Sequence, residues 1–161
     1  MVKSPSREWL ETTYLPFITG SALYVGVASY TSGYSDIVPD SCVLESLDRD
    51  PGKAKYGAKL HHVADFRGFY PGYAYNHIAL WGLWGQKELR NGVKDAQAFF
   101  NHAYVLLEDE GTILLHGATK TMSVTDWKDV LDDPLFQDFE TKHMEFMKGH
   151  FIWWGKLSAA K

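Results

Sequence analysis

The run from Ala22 to Tyr34 (ALYVGVASYTSGY) constrains the fold of this chain more than any other stretch. Its apolar part, Leu23 to Val27, is short and is followed at once by small residues, which is typical of a buried strand that ends in a turn. Gly26 permits backbone angles that a side chain forbids, and it lets a ligand approach the main chain closely. In an open α/β sheet, ligands bind at strand ends of this kind.

A second apolar run ends in an acidic residue about 20 residues further on, the spacing at which nucleotide-binding folds place a carboxylate on a ribose. This run is Val43 to Leu47, and Asp48 follows it. A carboxylate can accept hydrogen bonds from both hydroxyls of a ribose. In the alternative interpretation, Asp48 is a surface residue of the turn that leads into Asp50 and Pro51, and Asp50 caps the helix that follows.

Strand-like runs alternate with helical patterns along the chain, which predicts parallel βαβ units. We expect further strands at His61–Val63, Tyr75–Leu80 and Thr112–His116, and a closing antiparallel hairpin from Phe139 to Leu157. Helices are expected at Ser6–Leu15, Tyr34–Val38, Pro51–Gly57 and Glu88–Leu107, and a last one after a cap at Thr125, with a turn at Glu108–Gly111. The predicted fold is therefore one three-layer α/β domain, residues 1–161, with a mostly parallel sheet and a C-terminal antiparallel hairpin.

Composition excludes several classes of protein. The formal net charge of −4 argues against a general electrostatic attraction to nucleic acid. Cys42 is the one cysteine, so an internal disulfide or a cysteine-rich metal site is excluded, and we expect no bound metal. No apolar stretch reaches membrane-spanning length and the N-terminus has no apolar signal core, so we expect a cytoplasmic protein without a membrane partner.

Four stretches resemble the class I S-adenosylmethionine-dependent methyltransferases, and the resemblance extends from about Ser21 to Lys156. Leu23–Ser29 is similar to the glycine-rich first loop, and Leu47–Pro51 to the second strand end, where an acidic residue holds the ribose. His62–Phe66 resembles the third strand end, where an Asp meets the adenine amino group. Tyr75–Gly82 resembles the fourth strand, beside the methyl donor.

The resemblance implies a Rossmann-like fold, S-adenosylmethionine as cofactor and a small-molecule methyl acceptor. It also implies a set of cofactor-binding residues: Tyr24, Gly26, Ala28, Asp48, Arg49, Asp65, Phe66, Leu80 and Trp81. Trp81 or Trp84 would attract a sulfonium through an indole face, and the alternative for both is packing under a helix. The alternative role of Asp65 is to cap a turn, and the alternative role of Phe66 is that of a core side chain.

The chain departs from the family pattern in its first motif. Tyr24 stands where an acidic residue is usual, and Ala28 and Tyr30 stand where two further glycines are usual. These departures keep open a non-catalytic protein of the same fold that binds a nucleoside-type ligand or a protein partner. A nicotinamide-dependent reductase ranks lower, because Ala28 and Tyr30 replace the glycines that would make room for the pyrophosphate of its cofactor. No catalytic residue is assigned. His116 at a strand end is the best single candidate for a base, and the alternative is a structural histidine whose hydrogen bonds are satisfied. The sequence does not define the oligomeric state.

Overall fold

Seven strands form one mixed sheet in the computed structural model, which describes residues 3–81, 88–147, 149–159 and 161, with the backbone alone for 138–147. The strands are β1 Gly20–Val25, β2 Cys42–Asp48, β3 Leu60–Val63, β4 Tyr75–Leu80, β5 Leu107–Ala118, β6 Phe136–Met147 and β7 His150–Leu157. Their order across the sheet is β3-β2-β1-β4-β5-β7-β6. The first five run parallel, and β7 is antiparallel to both β5 and β6. The predicted fold class is confirmed.

The sheet separates two groups of buried side chains, because successive residues of a strand point to opposite faces. On one face, Leu23 and Val25 of β1 pack with the helices α3 Val93–Leu106 and α4 Val124–Leu131. On the other face, Ala22 and Tyr24 pack with the N-terminal segment and with the short helix α2 Tyr34–Ile37. The core is therefore apolar on both sides of every central strand, as expected for a parallel sheet.

The N-terminal segment differs from the single helix expected over Ser6–Leu15. The α-helix α1 covers only Pro5–Trp9, and a π-helical turn Leu10–Tyr14 and a 3₁₀ turn Leu15–Phe17 follow it. Ser4 caps α1 by accepting from the Arg7 N–H at 3.3 Å. The start expected at Ser6 was wrong, because Pro5 suits the first helical position and the cap therefore falls on Ser4.

The other helices also begin elsewhere than expected. The helix α3 starts at Val93 rather than Glu88, since Gly92 has a φ of 59° that interrupts the helix. Ser123, not Thr125, caps α4 and accepts from the Asp126 N–H at 3.2 Å. The helix expected at Pro51 is a 3₁₀ turn over Pro51–Tyr56, which Asp50 caps.

The turn expected at Glu108–Gly111 is a bulge inside β5. Tyr75 pairs with Leu107 and His77 pairs with Thr112. An advance of two residues along β4 therefore corresponds to an advance of five residues along β5. Glu110 has a φ of 61° within that bulge. The hairpin starts earlier than expected, since β6 begins at Phe136. In the described part of the chain, no helix is long and apolar enough to cross a membrane.

Candidate functional site

A cleft lies at the carboxyl ends of β1, β2 and β3, and its volume is about 90 Å³. Its lining combines apolar side chains with five charged ones, namely Asp48, Arg49, Asp65, Arg67 and Glu88. Gly26, Leu47, Ala64 and Phe66 also line it. Of the cofactor-binding residues expected from the sequence, the structure brings together Gly26, Asp48, Arg49, Asp65 and Phe66.

Gly26 turns the chain sharply away from β1. Its φ is 97°, a region that L side chains avoid, and its N–H donates to the carbonyl of Leu47 at 3.0 Å. The main chain therefore passes across the end of β2 and forms one wall of the cleft without a side chain.

The Asp48 carboxylate bonds two backbone segments. Its Oδ2 accepts from the Val27 N–H at 3.0 Å, and its Oδ1 accepts from the Asp50 N–H at 2.9 Å. The second of these bonds is the turn role considered from the sequence. Because a carboxylate oxygen has two lone pairs, each oxygen retains one for a further donor in the cleft.

The Asp65 carboxylate is bound by Arg67. Its Oδ1 accepts from the Arg67 N–H at 2.9 Å and from Nε at 3.3 Å, and its Oδ2 accepts from Nη2 at 3.2 Å. Hydrogen bonding from Arg67 holds the pKa of Asp65 below its usual range. The same guanidinium lies 5.0 Å from the centre of the Phe99 ring. Asp65 is thus an ionised acceptor whose two oxygens are already partly used.

An ion pair joins two walls of the cleft. Arg49 Nη2 lies 2.6 Å from Glu88 Oε1, and 46% of the Arg49 side chain but only 18% of the Glu88 side chain is exposed. Arg49 follows β2, whereas Glu88 lies in the turn before α3, so the pair connects segments that are far apart in sequence. Neither Glu88 nor Arg67 was expected at the site, since neither stands in a strand-end motif.

Four residues of the expected set lie outside this lining. Tyr24 is buried on the other face of the sheet, where its ring meets Tyr34 edge-on and burial raises its pKa well above the usual value. The Ala28 N–H donates to Thr31 Oγ1 at 2.9 Å. Leu80 is a core side chain beside the cleft face. Trp81 lies on the face of Tyr24, and Trp84 falls outside the described residues.

Trp81 belongs to a group of three rings at the same edge of the sheet. Its ring centroid lies 4.6 Å from that of His116, near the carboxyl end of β5. His116 Nε2 and His150 Nδ1 share a hydrogen bond of 3.0 Å, and His150 begins β7. Burial lowers the pKa of His116 to about 4, and the neighbouring charge of His150 acts in the same direction. Among the described residues, no group of three or more His, Cys, Asp or Glu side chains is placed to hold a metal ion.

No protein-family model and no curated protein matches the chain. Solved structures do match. The chain is similar to the N-methyltransferase NodS from Bradyrhizobium japonicum in complex with S-adenosyl-L-homocysteine, with a TM-score of 0.63 and 11% identity over 96% of this chain and 85% of that one.

Two further structures are similar over most of this chain. Magnesium protoporphyrin IX methyltransferase (ChlM) from Synechocystis with bound S-adenosylmethionine gives a TM-score of 0.61 and 15% identity, over 85% of this chain and 69% of that one. TrmN from Thermus thermophilus gives a TM-score of 0.67 and 14% identity, over 96% of this chain and 49% of that one. With the strand order β3-β2-β1-β4-β5-β7-β6, these matches establish that the chain has the fold of the class I S-adenosylmethionine-dependent methyltransferases.

Proposed function

We propose that this protein is an S-adenosylmethionine-dependent methyltransferase that acts on a small molecule. The observation that carries the proposal is that Gly26, Asp48 and Asp65, from three successive strand ends, line one cleft. Open α/β sheets bind their ligands at this edge. The similar NodS and ChlM structures hold S-adenosylhomocysteine and S-adenosylmethionine, which supports the same cofactor here.

The cleft residues fit the nucleoside part of this cofactor. Asp48 has a lone pair left on each oxygen for the two ribose hydroxyls, and Asp65 is an ionised acceptor for the adenine amine. Phe66 offers an aromatic wall for the base. Gly26 leaves room beside the main chain, and Arg49 stands next to the proposed ribose position. We include these five residues in the proposed cofactor site.

The methyl transfer requires few catalytic groups from the protein. S-adenosylmethionine supplies an already activated methyl group when it is bound. The chain's own residues then have to bind and orient the two reactants and exclude water. These effects contribute most of the rate in a reaction of this kind. A small acceptor is favoured because the formal net charge of −4 gives no general attraction for nucleic acid, and the connections after β2 and β3 hold only 3₁₀ turns.

Isothermal titration calorimetry with S-adenosylmethionine and S-adenosylhomocysteine tests the proposal. We expect binding of both at one site per chain. Adenosine and adenosine monophosphate provide a matched comparison. Because three carboxylates and two guanidinium groups line the cleft, the phosphate should make adenosine monophosphate bind more weakly than adenosine. Absence of heat with both cofactor forms, at protein concentrations well above micromolar, would overturn it.

The second candidate is a non-catalytic protein of this fold that binds a nucleoside-type ligand or a protein partner. The observation that favours it is that polar lining residues are already paired with one another, since Asp65 is bonded to Arg67 and Arg49 is bonded to Glu88. This candidate predicts that a nucleoside without the methionine part binds as well as S-adenosylhomocysteine, or that neither binds. Calorimetry with adenosine therefore discriminates the two.

A further inference from the structure

The ring group of Trp81, His116 and His150 lies next to the cleft along the same sheet edge. The backbone N–H of Trp81 donates to the carbonyl of Val25 at 2.9 Å, and Val25 immediately precedes Gly26 of the cleft. His116 then packs on Trp81, and His150 bonds to His116. The backbone of Trp81 therefore pairs with the strand that leads into the cleft, while its ring packs with His116 on the face of Tyr24.

Strand spacing sets the distance between this group and Asp48. Neighbouring strands lie about 4.8 Å apart, so the end of β4 is about 10 Å from Asp48 on β2, and the end of β5 is about 14 Å away. A nucleoside anchored at Asp48 and Asp65 would extend past Gly26 toward the end of β4. The reacting end of such a ligand would lie beside Trp81, and His116 stands one strand further on.

The hydrogen bond between the imidazoles determines what the pair can do with a proton. One N–H occupies the bond between His116 Nε2 and His150 Nδ1, whichever ring donates it. In the neutral pair, one of the two outer nitrogens, Nδ1 of His116 or Nε2 of His150, must therefore carry a lone pair. The pair can accept one proton at that nitrogen, and both rings are partly exposed.

The surroundings of His116 favour its neutral form before the reaction. Trp81 packs on His116 from the end of β4, and His150 faces it from β7. Within residues 3–81, 88–137 and 149–159, no carboxylate forms an ion pair with either ring. Burial disfavours the charged form of His116 itself.

We propose that the His116–His150 pair accepts the proton that the methyl acceptor loses, and that the acceptor is a hydroxyl or amine group that carries such a proton. This inference rests on the proposed function. In the transfer, the acceptor's oxygen or nitrogen forms a bond to the methyl carbon. The bond between that carbon and sulfur breaks, and its electron pair stays on sulfur as a neutral thioether. The released proton passes to the outer nitrogen of the pair and from His150 to solvent.

The test compares the titration of the pair in two complexes that differ by one charge. Histidine side-chain NMR spectra of the full chain are recorded across pH with S-adenosylhomocysteine and with S-adenosylmethionine. His116→Gln and His150→Gln assign the signals. The sulfonium charge should lower the titration midpoint of the pair by about 0.5 pH unit or more, since a unit charge about 6 Å away has that effect even in water.

His77 is the internal control, because it lies on β4 about 13 Å further from the cleft edge. Its signal should be the same in both complexes. An equal midpoint for the pair in both complexes, with binding of both ligands confirmed by calorimetry, would overturn this inference and leave the proposed function intact. Absence of binding in calorimetry would instead overturn the proposed function, and this inference with it.

Discussion

Asp48 Oδ2 accepts a hydrogen bond of 3.0 Å from the backbone N–H of Val27, which joins the end of β2 to the segment just after Gly26. The two roles considered for Asp48 are therefore not exclusive. The carboxylate supports the turn at Asp50 and the shape of the cleft wall, and each of its oxygens still has a lone pair for a further donor.

Replacing Asp48 should affect both stability and binding. Asp48→Ala should lower the free energy of unfolding by about 1–3 kcal/mol, because two backbone N–H groups lose their acceptor. The affinity for S-adenosylhomocysteine should fall by roughly ten- to a hundred-fold, since bonds to a charged acceptor are lost. Urea unfolding and calorimetry on the same protein measure the two effects. Asp48→Asn, which keeps one oxygen, should be intermediate in both, and unchanged affinity in the Ala variant would remove Asp48 from the proposed site.

Asp65 should determine the preference for adenine. If its carboxylate accepts from the adenine amine, wild-type protein binds adenosine more tightly than inosine, which has a carbonyl oxygen in place of the amine. Asp65→Ala should lower the affinity for adenosine about ten-fold and leave that for inosine within about two-fold. Competition calorimetry measures both. An equal loss for the two nucleosides would mean that Asp65 acts only through its ion pair with Arg67.

The Arg49–Glu88 ion pair should slow ligand entry. Glu88→Gln removes the pair across the cleft, so we expect the association rate of S-adenosylhomocysteine to rise several-fold in stopped-flow measurements. Stability should change by less than about 1 kcal/mol, because 46% of the Arg49 side chain is exposed and ion pairs that solvent screens contribute little. Glu108→Gln, at an exposed position on β5, is the matched control. Equal association rates in Glu88→Gln and wild type would contradict this prediction.

His116 should make the fold sensitive to acid. Burial lowers its pKa to about 4 from an ordinary value of 6.5, so between these values the unfolded chain binds more protons than the folded one. Stability therefore rises with pH across this window and is lost as the pH falls. Between pH 7.5 and pH 5 the loss from this group should be about 2 kcal/mol.

Urea unfolding of wild type and His116→Gln at both pH values isolates this contribution. The comparison is needed because burial also lowers the pKa values of His61 and His77, which add to the acid sensitivity of both proteins. The variant should lose less stability than wild type. An equal loss in the two proteins would show that His116 does not titrate between these values.

The strands could be predicted more closely than the helices. Tyr75–Leu80 and His150–Leu157 have the bounds expected from the sequence, because short apolar runs between turn residues suffice to define buried strands. The N-terminal segment does not follow one helical period, since its α-, π- and 3₁₀-turns fit the side chains against the sheet. Tertiary packing of this kind leaves no local pattern.

The site could be predicted only where it depends on strand ends. Asp48 and Asp65 follow apolar runs, and the carboxyl ends of parallel strands meet at one edge, so their proximity in the cleft follows from the pattern. The bond between Arg49 and Glu88 depends on how the segment before α3 approaches β2, and no spacing in the sequence indicates it. Trp81 and His116 are likewise brought together only by the pairing of β4 with β5.

The position of β7 between β5 and β6 has a consequence for synthesis on the ribosome. The chain emerges in the order β5, β6, β7. The strand that pairs with the outer edge of β5 in the finished sheet is β7, so this edge lacks its partner until His150–Leu157 has been made. Until then, β5 exposes unsatisfied backbone groups beside the apolar side chains of Ile113, Leu114 and Leu115, a combination that promotes aggregation. A nascent chain that stalls before His150 should therefore depend on chaperones for its solubility.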